Sequence, residues 1–182
     1  DRPLHHCRIN SVSGPPDPAI SDVALLPDGK LIVIGNFTMV NGGWRPFIAR
    51  LNADGSLDTG FPPLGFNYQP FTVAIQPDGK IFLGGMFFPI GLGIEHARIT
   101  RLNPDGSVDP GFDPGSGADG LVYHSVLQPD GRILIAGTFT HINGIPCNGL
   151  ARLNEDGSVD PSFDAGAGPD DSSAGRTAQR SG

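Results

Sequence analysis

The sequence predicts an all-β fold of the β-propeller type, with three four-stranded antiparallel blades of about 51 residues each. Three observations carry that expectation. Arg-Leu-Asn-x-Asp-Gly-Ser-x-Asp begins at Arg50, Arg101 and Arg152, an even spacing of 51 residues, and a fixed period marks a repeat architecture. A second marker, Pro-Asp-Gly, begins at Pro27, Pro77 and Pro129, so each unit holds two tight turns. Lastly, 27 Gly and 18 Pro make up about a quarter of the 182 residues, roughly twice the usual share. Both residues oppose helix interiors and favour many turns between short strands.

Each element follows from this turn chemistry. In Pro-Asp-Gly, Pro suits the first central position of a type I turn, Asp tolerates the second, and Gly takes the following left-handed position, as in a hairpin with a G1 bulge. Val23-Ala-Leu-Leu, Val73-Ala-Ile-Gln and Ser125-Val-Leu-Gln enter the first turn. Lys30-Leu-Ile-Val-Ile-Gly, Lys80-Ile-Phe-Leu-Gly-Gly and Arg132-Ile-Leu-Ile-Ala-Gly leave it, apolar on successive residues as in a strand buried on both faces. A third strand ends in Ala49-Arg-Leu, Thr100-Arg-Leu and Ala151-Arg-Leu. After the second turn, Ser56-Leu-Asp, Ser107-Val-Asp and Ser158-Val-Asp alternate polar and apolar, the pattern of a short, half-exposed outer strand.

A four-stranded antiparallel unit of this size matches a propeller blade. The boundaries read as an N-terminal remnant over 1–15, repeats over 16–63, 64–114 and 115–165, and a disordered tail over 166–182. Arg8-Ile-Asn10 faintly echoes the third strand of a preceding blade. Three blades do not close a ring, because propellers use about four to eight. The chain therefore reads as a segment of a larger propeller, with assembly of several copies as the alternative.

Composition narrows the function. A net charge of −7 leaves no sequence-wide basic footprint for nucleic acid. No run of 18 apolar residues exists to span a bilayer. Two cysteines, Cys7 and Cys147, allow one disulfide but do not decide it, and a framework of several is excluded.

Three motifs together resemble the delta-60 repeat, a bacterial propeller-like repeat: Gln-Pro-Asp-Gly-Lys, Gly-x-Phe-Thr-x-x-Asn-Gly (35–42 and 137–144), and Ala-Arg-Leu-Asn-x-Asp-Gly-Ser-x-Asp-x-x-Phe. The similarity covers roughly 16–165. The middle repeat departs from it where Phe87-Phe-Pro-Ile-Gly-Leu-Gly93 replaces the Phe-Thr-x-x-Asn-Gly segment. The resemblance implies a propeller fold and an extracellular or cell-surface location in large bacterial proteins. It brings no catalytic residues with it.

The candidate chemistry lies in two places. Asp54, Asp58, Asp105, Asp109, Asp156 and Asp160 recur as Asp-x-Ser-x-Asp. Oxygen ligands at alternate positions after a Gly turn suit Ca²⁺, whereas Asp also routinely serves turns. Otherwise no cofactor is signalled. Arg50, Arg101 and Arg152 read either as a ring of anion-gripping guanidinium groups or as partners of Asp58, Asp109 and Asp160, the pairing that a buried Arg requires.

The five histidines fall at non-equivalent positions without zinc-ligand spacing, and Gly115–Gly120 reads as an inter-blade loop. Where the repeats disagree, Trp44, Arg45, Phe88, His96 and His141 form a candidate binding rim on a rigid scaffold. The function expected is a non-enzymatic scaffold or adhesion surface for a protein or glycan ligand, continued by further blades of a parent chain. The alternative is a lactonase- or lyase-like propeller enzyme with a divalent metal in its channel.

Overall fold

A computed structural model describes residues 9–10, 18–88 and 97–166. Its strands are β1 (Ile9–Asn10), β2 (Ala19–Leu25), β3 (Leu31–Asn36), β4 (Met39–Val40), β5 (Gly43–Trp44), β6 (Ile48–Leu51) and β7 (Pro70–Ile75). They continue with β8 (Ile81–Gly85), β9 (Ile99–Leu102), β10 (Val122–Leu127), β11 (Ile133–Gly137), β12 (His141–Ile142), β13 (Ile145–Pro146) and β14 (Leu150–Leu153). No helix occurs among the described residues. The three main sheets are ordered β2-β3-β6, β7-β8-β9 and β10-β11-β14, antiparallel throughout.

Both predicted hairpin turns form in every repeat. Leu26 N–H donates to the Lys30 carbonyl at 2.8 Å, and Gly29, at φ 83°, donates to the Leu26 carbonyl. The second turn repeats this geometry, with Asn52 N–H donating to Ser56 O at 2.8 Å and Gly55 at φ 82°.

Four strands per blade, however, is not what the sheets show. Each has three strands, and the expected fourth is reduced to a single bridge: Leu51 to Leu57, Leu102 to Val108 and Leu153 to Val159. The cause lies in the next residue. Asp58, Asp109 and Asp160 turn their Oδ1 back onto the N–H two residues on, at Gly60, Gly111 and Ser162. Such Asx turns compete with the ladder and steer the chain away from it. Pro110 and Pro161 also lack the N–H that a longer strand would need.

A further hairpin, absent from the sequence reading, follows each Gly-x-Phe in repeats 1 and 3. β4 pairs with β5 and β12 with β13 across Asn41-Gly42 and Asn143-Gly144. All four turn residues have positive φ, from 48° to 80°, as a type I′ turn demands. β1 extends the first of these ribbons, with Ile9 opposite Val40. In repeat 3 the equivalent edge is taken by the inter-repeat segment, where Ala118 bridges Ile142 and Gly117 bridges Ala97.

Two of the three core clusters lie between successive sheets; the third, Val33, Phe37, Val40, Ala49 and Leu51, lies within repeat 1. Ile32, Ile34, Ile48 and Phe61 of repeat 1 pack with Ile81, Leu83 and Leu102 of repeat 2. Phe82, Ile99 and Phe112 of repeat 2 pack with Ile133, Ile135 and Leu153 of repeat 3. Each such side chain, wholly removed from water, contributes roughly 1.5–3 kcal/mol. The β3 and β8 segments are buried on both faces, as their unbroken apolar runs predicted.

Candidate functional site

The thrice-repeated motif folds into a thrice-repeated frame. Arg50, Arg101 and Arg152 stand on the third strand, and the Asp eight residues later comes back beside each of them. Arg50 Nε lies 2.8 Å from Asp58 Oδ2, Arg101 Nη2 lies 2.6 Å from Asp109 Oδ2, and Arg152 Nε lies 2.8 Å from Asp160 Oδ2. Each guanidinium also rests on the ring three residues past that Asp, at 4.8–5.0 Å from Phe61, Phe112 and Phe163. Of the two readings of these arginines, pairing with carboxylates is the one realised.

A second cation joins each pair. Lys30, Lys80 and Arg132 approach the same Oδ2 at 2.8, 3.2 and 3.4 Å. Sequence reading missed these residues. The available signal was that a basic residue follows every Pro-Asp-Gly.

The frame also ties neighbouring repeats together. Arg50 Nη1 donates to the carbonyl of Pro104, and Arg101 Nη1 donates to that of Glu155 at 2.7 Å, in each case the second turn of the next repeat. Gln76 accepts from Arg101 Nη1 and donates from Nε2 to Gly131 O. The crevice above Arg101, about 610 Å³, is lined by Gln76, Lys80, Arg101, Asp130 and Glu155.

The candidate calcium ligands divide between two duties. Asp54, Asp105 and Asp156 each accept from the N–H and hydroxyl of their own Ser56, Ser107 or Ser158, at 2.9 and 2.6 Å. Asp58, Asp109 and Asp160 serve the arginines and the Asx turns. Among the described residues, no three His, Cys, Asp or Glu side chains converge as a metal shell would require.

These bonds favour the ionised carboxylates. Lys30, then the Gly60 N–H and Arg50, hold Asp58 at about 2 against an ordinary 3.8, despite burial. Asp160 falls to about 2 through the Ser162 hydroxyl and N–H, with Arg152 adding to them. At Asp109 burial opposes ionisation, yet the Gly111 N–H, Lys80 and Arg101 prevail and lower it.

A depressed folded-state pKa adds stability that is present above the unfolded value and lost as pH falls through the folded one. The melting midpoint is therefore expected to hold from neutral pH to about pH 4 and to drop between roughly pH 4 and 2. Thermal melts across that range read it directly, and a midpoint unchanged down to pH 2 would contradict the frame.

The candidate rim residues occupy the ribbons. Trp44 lies on β5, opposite Met39 of β4, and is 59% exposed. His141 lies on β12 opposite Pro146, the same cross-strand position in repeat 3. Cross-strand partners share a face, so equivalent ribbon faces carry Met–Trp in one repeat and His–Pro in another. Arg45 is half-buried and donates from Nη1 to Trp44 O at 2.8 Å. Phe88 is exposed, with Arg98 over its ring at 5.1 Å. His96 lies outside the described residues, as do Cys7 and the tail beyond Gly166.

His141 Nδ1 sits 3.1 Å from Asp119 Oδ2. The His141 N–H and the Thr140 hydroxyl hold that carboxyl well below the usual carboxylate range. Cys147 is a half-buried thiol pushed up by burial.

A family model described as a domain of unknown function (DUF5122) beta-propeller matches residues 26–61, 76–112 and 128–163, more than half of the chain. The chain belongs to this family. Each DUF5122 match opens at Leu26, Gln76 or Gln128, just before Pro-Asp-Gly. Each closes at Phe61, Phe112 or Phe163, the ring beneath the arginine. The three DUF5122 repeats thus coincide with the structural frame, and both ribbons fall inside the matched spans. No curated protein matches the chain. No helix among the described residues is long and apolar enough to cross a membrane.

Proposed function

We propose that this chain is a non-enzymatic scaffold segment of a secreted or surface-attached bacterial protein, of the delta-60 type. Further blades, of the parent chain or of a second copy, complete it, and it recognises a protein or glycan ligand through its ribbons. One observation carries this reading. The polar side chains common to all three repeats are consumed by bonds within and between blades, whereas the ribbon faces differ between repeats and expose Trp44, His141 and Ile145. An exposed indole on a rigid ribbon suits stacking on a sugar ring or anchoring of a protein partner.

A glycan and protein array probed with the chain is expected to give a ligand. Its affinity should fall at least tenfold, roughly 1.4 kcal/mol, on Trp44→Ala. The melting midpoint should be unchanged by that substitution, because the indole is mostly solvated. Millimolar Ca²⁺ should leave binding and melting alike unmoved. Turnover of a lactone or polysaccharide without any array ligand would overturn the reading.

A further inference from the structure

The two interfaces between repeats are built on the same positions, which defines what the two open faces of the molecule should meet. Ile48 and Ile99 are fully buried against the following repeat; their counterpart in repeat 3, Leu150, is 36% exposed. Val126, on the same face of the inner strand β10, is 59% exposed. On the opposite face Val33, Ala49 and Leu51 of repeat 1 are buried, but along the inner strand Val23 is 53% and Leu25 66% exposed, whereas Val73, the counterpart of Val23, is 7% exposed under repeat 1. One end of the molecule thus presents the face that would receive a following repeat, and the other the face that would pack on a preceding one.

The polar contacts obey the same register. Asp22 Oδ2 accepts from Val73 N–H, and Thr72 Oγ1 accepts from Ser125 N–H, so the inner strand of each repeat receives a backbone N–H from the next. The next acceptor in that series is His124, which is exposed. Gln76 Oε1 accepts from Arg101, while the Oε1 of its counterpart Gln128 is buried without a hydrogen-bond partner. Arg50 and Arg101 reach carbonyls of the following repeat; the hydrogen bonds of Arg152 run to Asp160 and Ser162 within its own repeat.

We propose that the chain associates head to tail with a second copy of itself, the Val126–Leu150 face of one copy seating on the Val23–Leu25 face of the other. By register, Arg152 donates to the partner subunit's Ala53 carbonyl and Gln128 to the partner subunit's Gly29 carbonyl. The contact is heterologous, since different surfaces of the two copies meet, and such contacts close into rings when the rotation allows.

Light scattering with size-exclusion chromatography tests this on the intact chain. At about 100 µM, roughly a hundredfold above a Kd of about 1 µM, wild type is expected at a multiple of its 19.0 kDa chain mass. Leu25→Glu and Val126→Glu each place a charge on one face only, at well-exposed positions, and each alone should give a folded monomer.

Mixing the two variants should restore a one-to-one complex, because one chain keeps an intact outgoing face and the other an intact incoming face. A monomeric wild type overturns the proposal. So does a variant that stays associated by itself, or a mixture that stays monomeric, since a symmetric contact through one face cannot be rescued by mixing. Circular dichroism melts confirm that the variants fold, and array binding through Trp44 is read separately, so failure here leaves the ribbon reading untouched.

Discussion

Asp109→Ala is expected to lower the free energy of unfolding by about 3–5 kcal/mol, because it strands a buried cation rather than merely deleting a contact. Arg101 is 5% exposed and Asp109 6% exposed. Without the carboxylate, the guanidinium keeps only Gln76 Oε1 and the Glu155 carbonyl as hydrogen-bond acceptors, and the Phe112 ring beneath it. Lys80 Nζ loses the nearer of its two carboxylates, and the Gly111 N–H loses the cap that turns the chain toward Phe112. Since Arg101 also bridges to repeat 3, the loss should loosen the joint between blades as well as the blade. Urea unfolding measures it. A cost below about 1 kcal/mol, the range of exposed ion pairs, would place the pair outside the load of the fold.

The second large effect concerns Gly137→Ala. At this position a β-carbon would overlap the carbonyl oxygen of Leu121, because β10 bulges between Val122 and His124 and lays its backbone against the end of β11. Gly35 and Gly85 meet the bulged strands of their own repeats in the same way, over Ala19 and Pro70. The obstacle is backbone on both sides, so neither partner can yield without breaking ladder bonds. A loss of about 3 kcal/mol or more is expected, at the upper end of overpacking penalties. Gly144→Ala supplies the contrast. It sits at φ 75° with open space around it, and should cost only the left-handed penalty of about 1 kcal/mol. Equal losses at the two sites would show that the bulge does not crowd Gly137.

These effects also show how much was legible in the sequence. The Asp-Gly turns could be read because a type I turn followed by a left-handed residue requires that chemistry and little else supplies it. The arginine–aspartate pairing could be read from an apolar strand carrying one Arg beside a recurring Asp. The fourth strand misled, since Ser-x-Asp alternates like a strand while the Asp actually caps its own turn and takes the chain out of the sheet.

The ribbons were missed although Asn41-Gly42 and Asn143-Gly144 are strong hairpin signals, because their flanking strands are only two residues long. One feature had no local signal at all. Phe47, Arg98 and Gly149 occupy the same left-handed position, at φ 66°, 66° and 82°, before the third strand. There the backbone bonds both Gly and Phe of Gly-x-Phe, with Gly35 N–H donating to Phe47 O and Phe47 N–H to Phe37 O. Tertiary bonding overrides the preference of Phe and Arg, so residue type gives no clue.

The candidate site divides along the same line. Residues that recur in every repeat hold turns, carboxylate pairs and blade joints. At the ribbon faces, Trp44 of repeat 1 and His141 of repeat 3 differ in kind and lie exposed.

The measurement that tests this division most directly is a double-mutant cycle on the frame, with Arg101→Met, Asp109→Leu and the pair unfolded in urea. If the motif is structural, each single substitution should cost several kcal/mol and the double should cost less than either, as when a buried pair is replaced by apolar side chains, with a coupling of about 0.5–3 kcal/mol or more. Additive losses, or singles with no effect on stability, would contradict it and return the repeated motif to the search for chemistry.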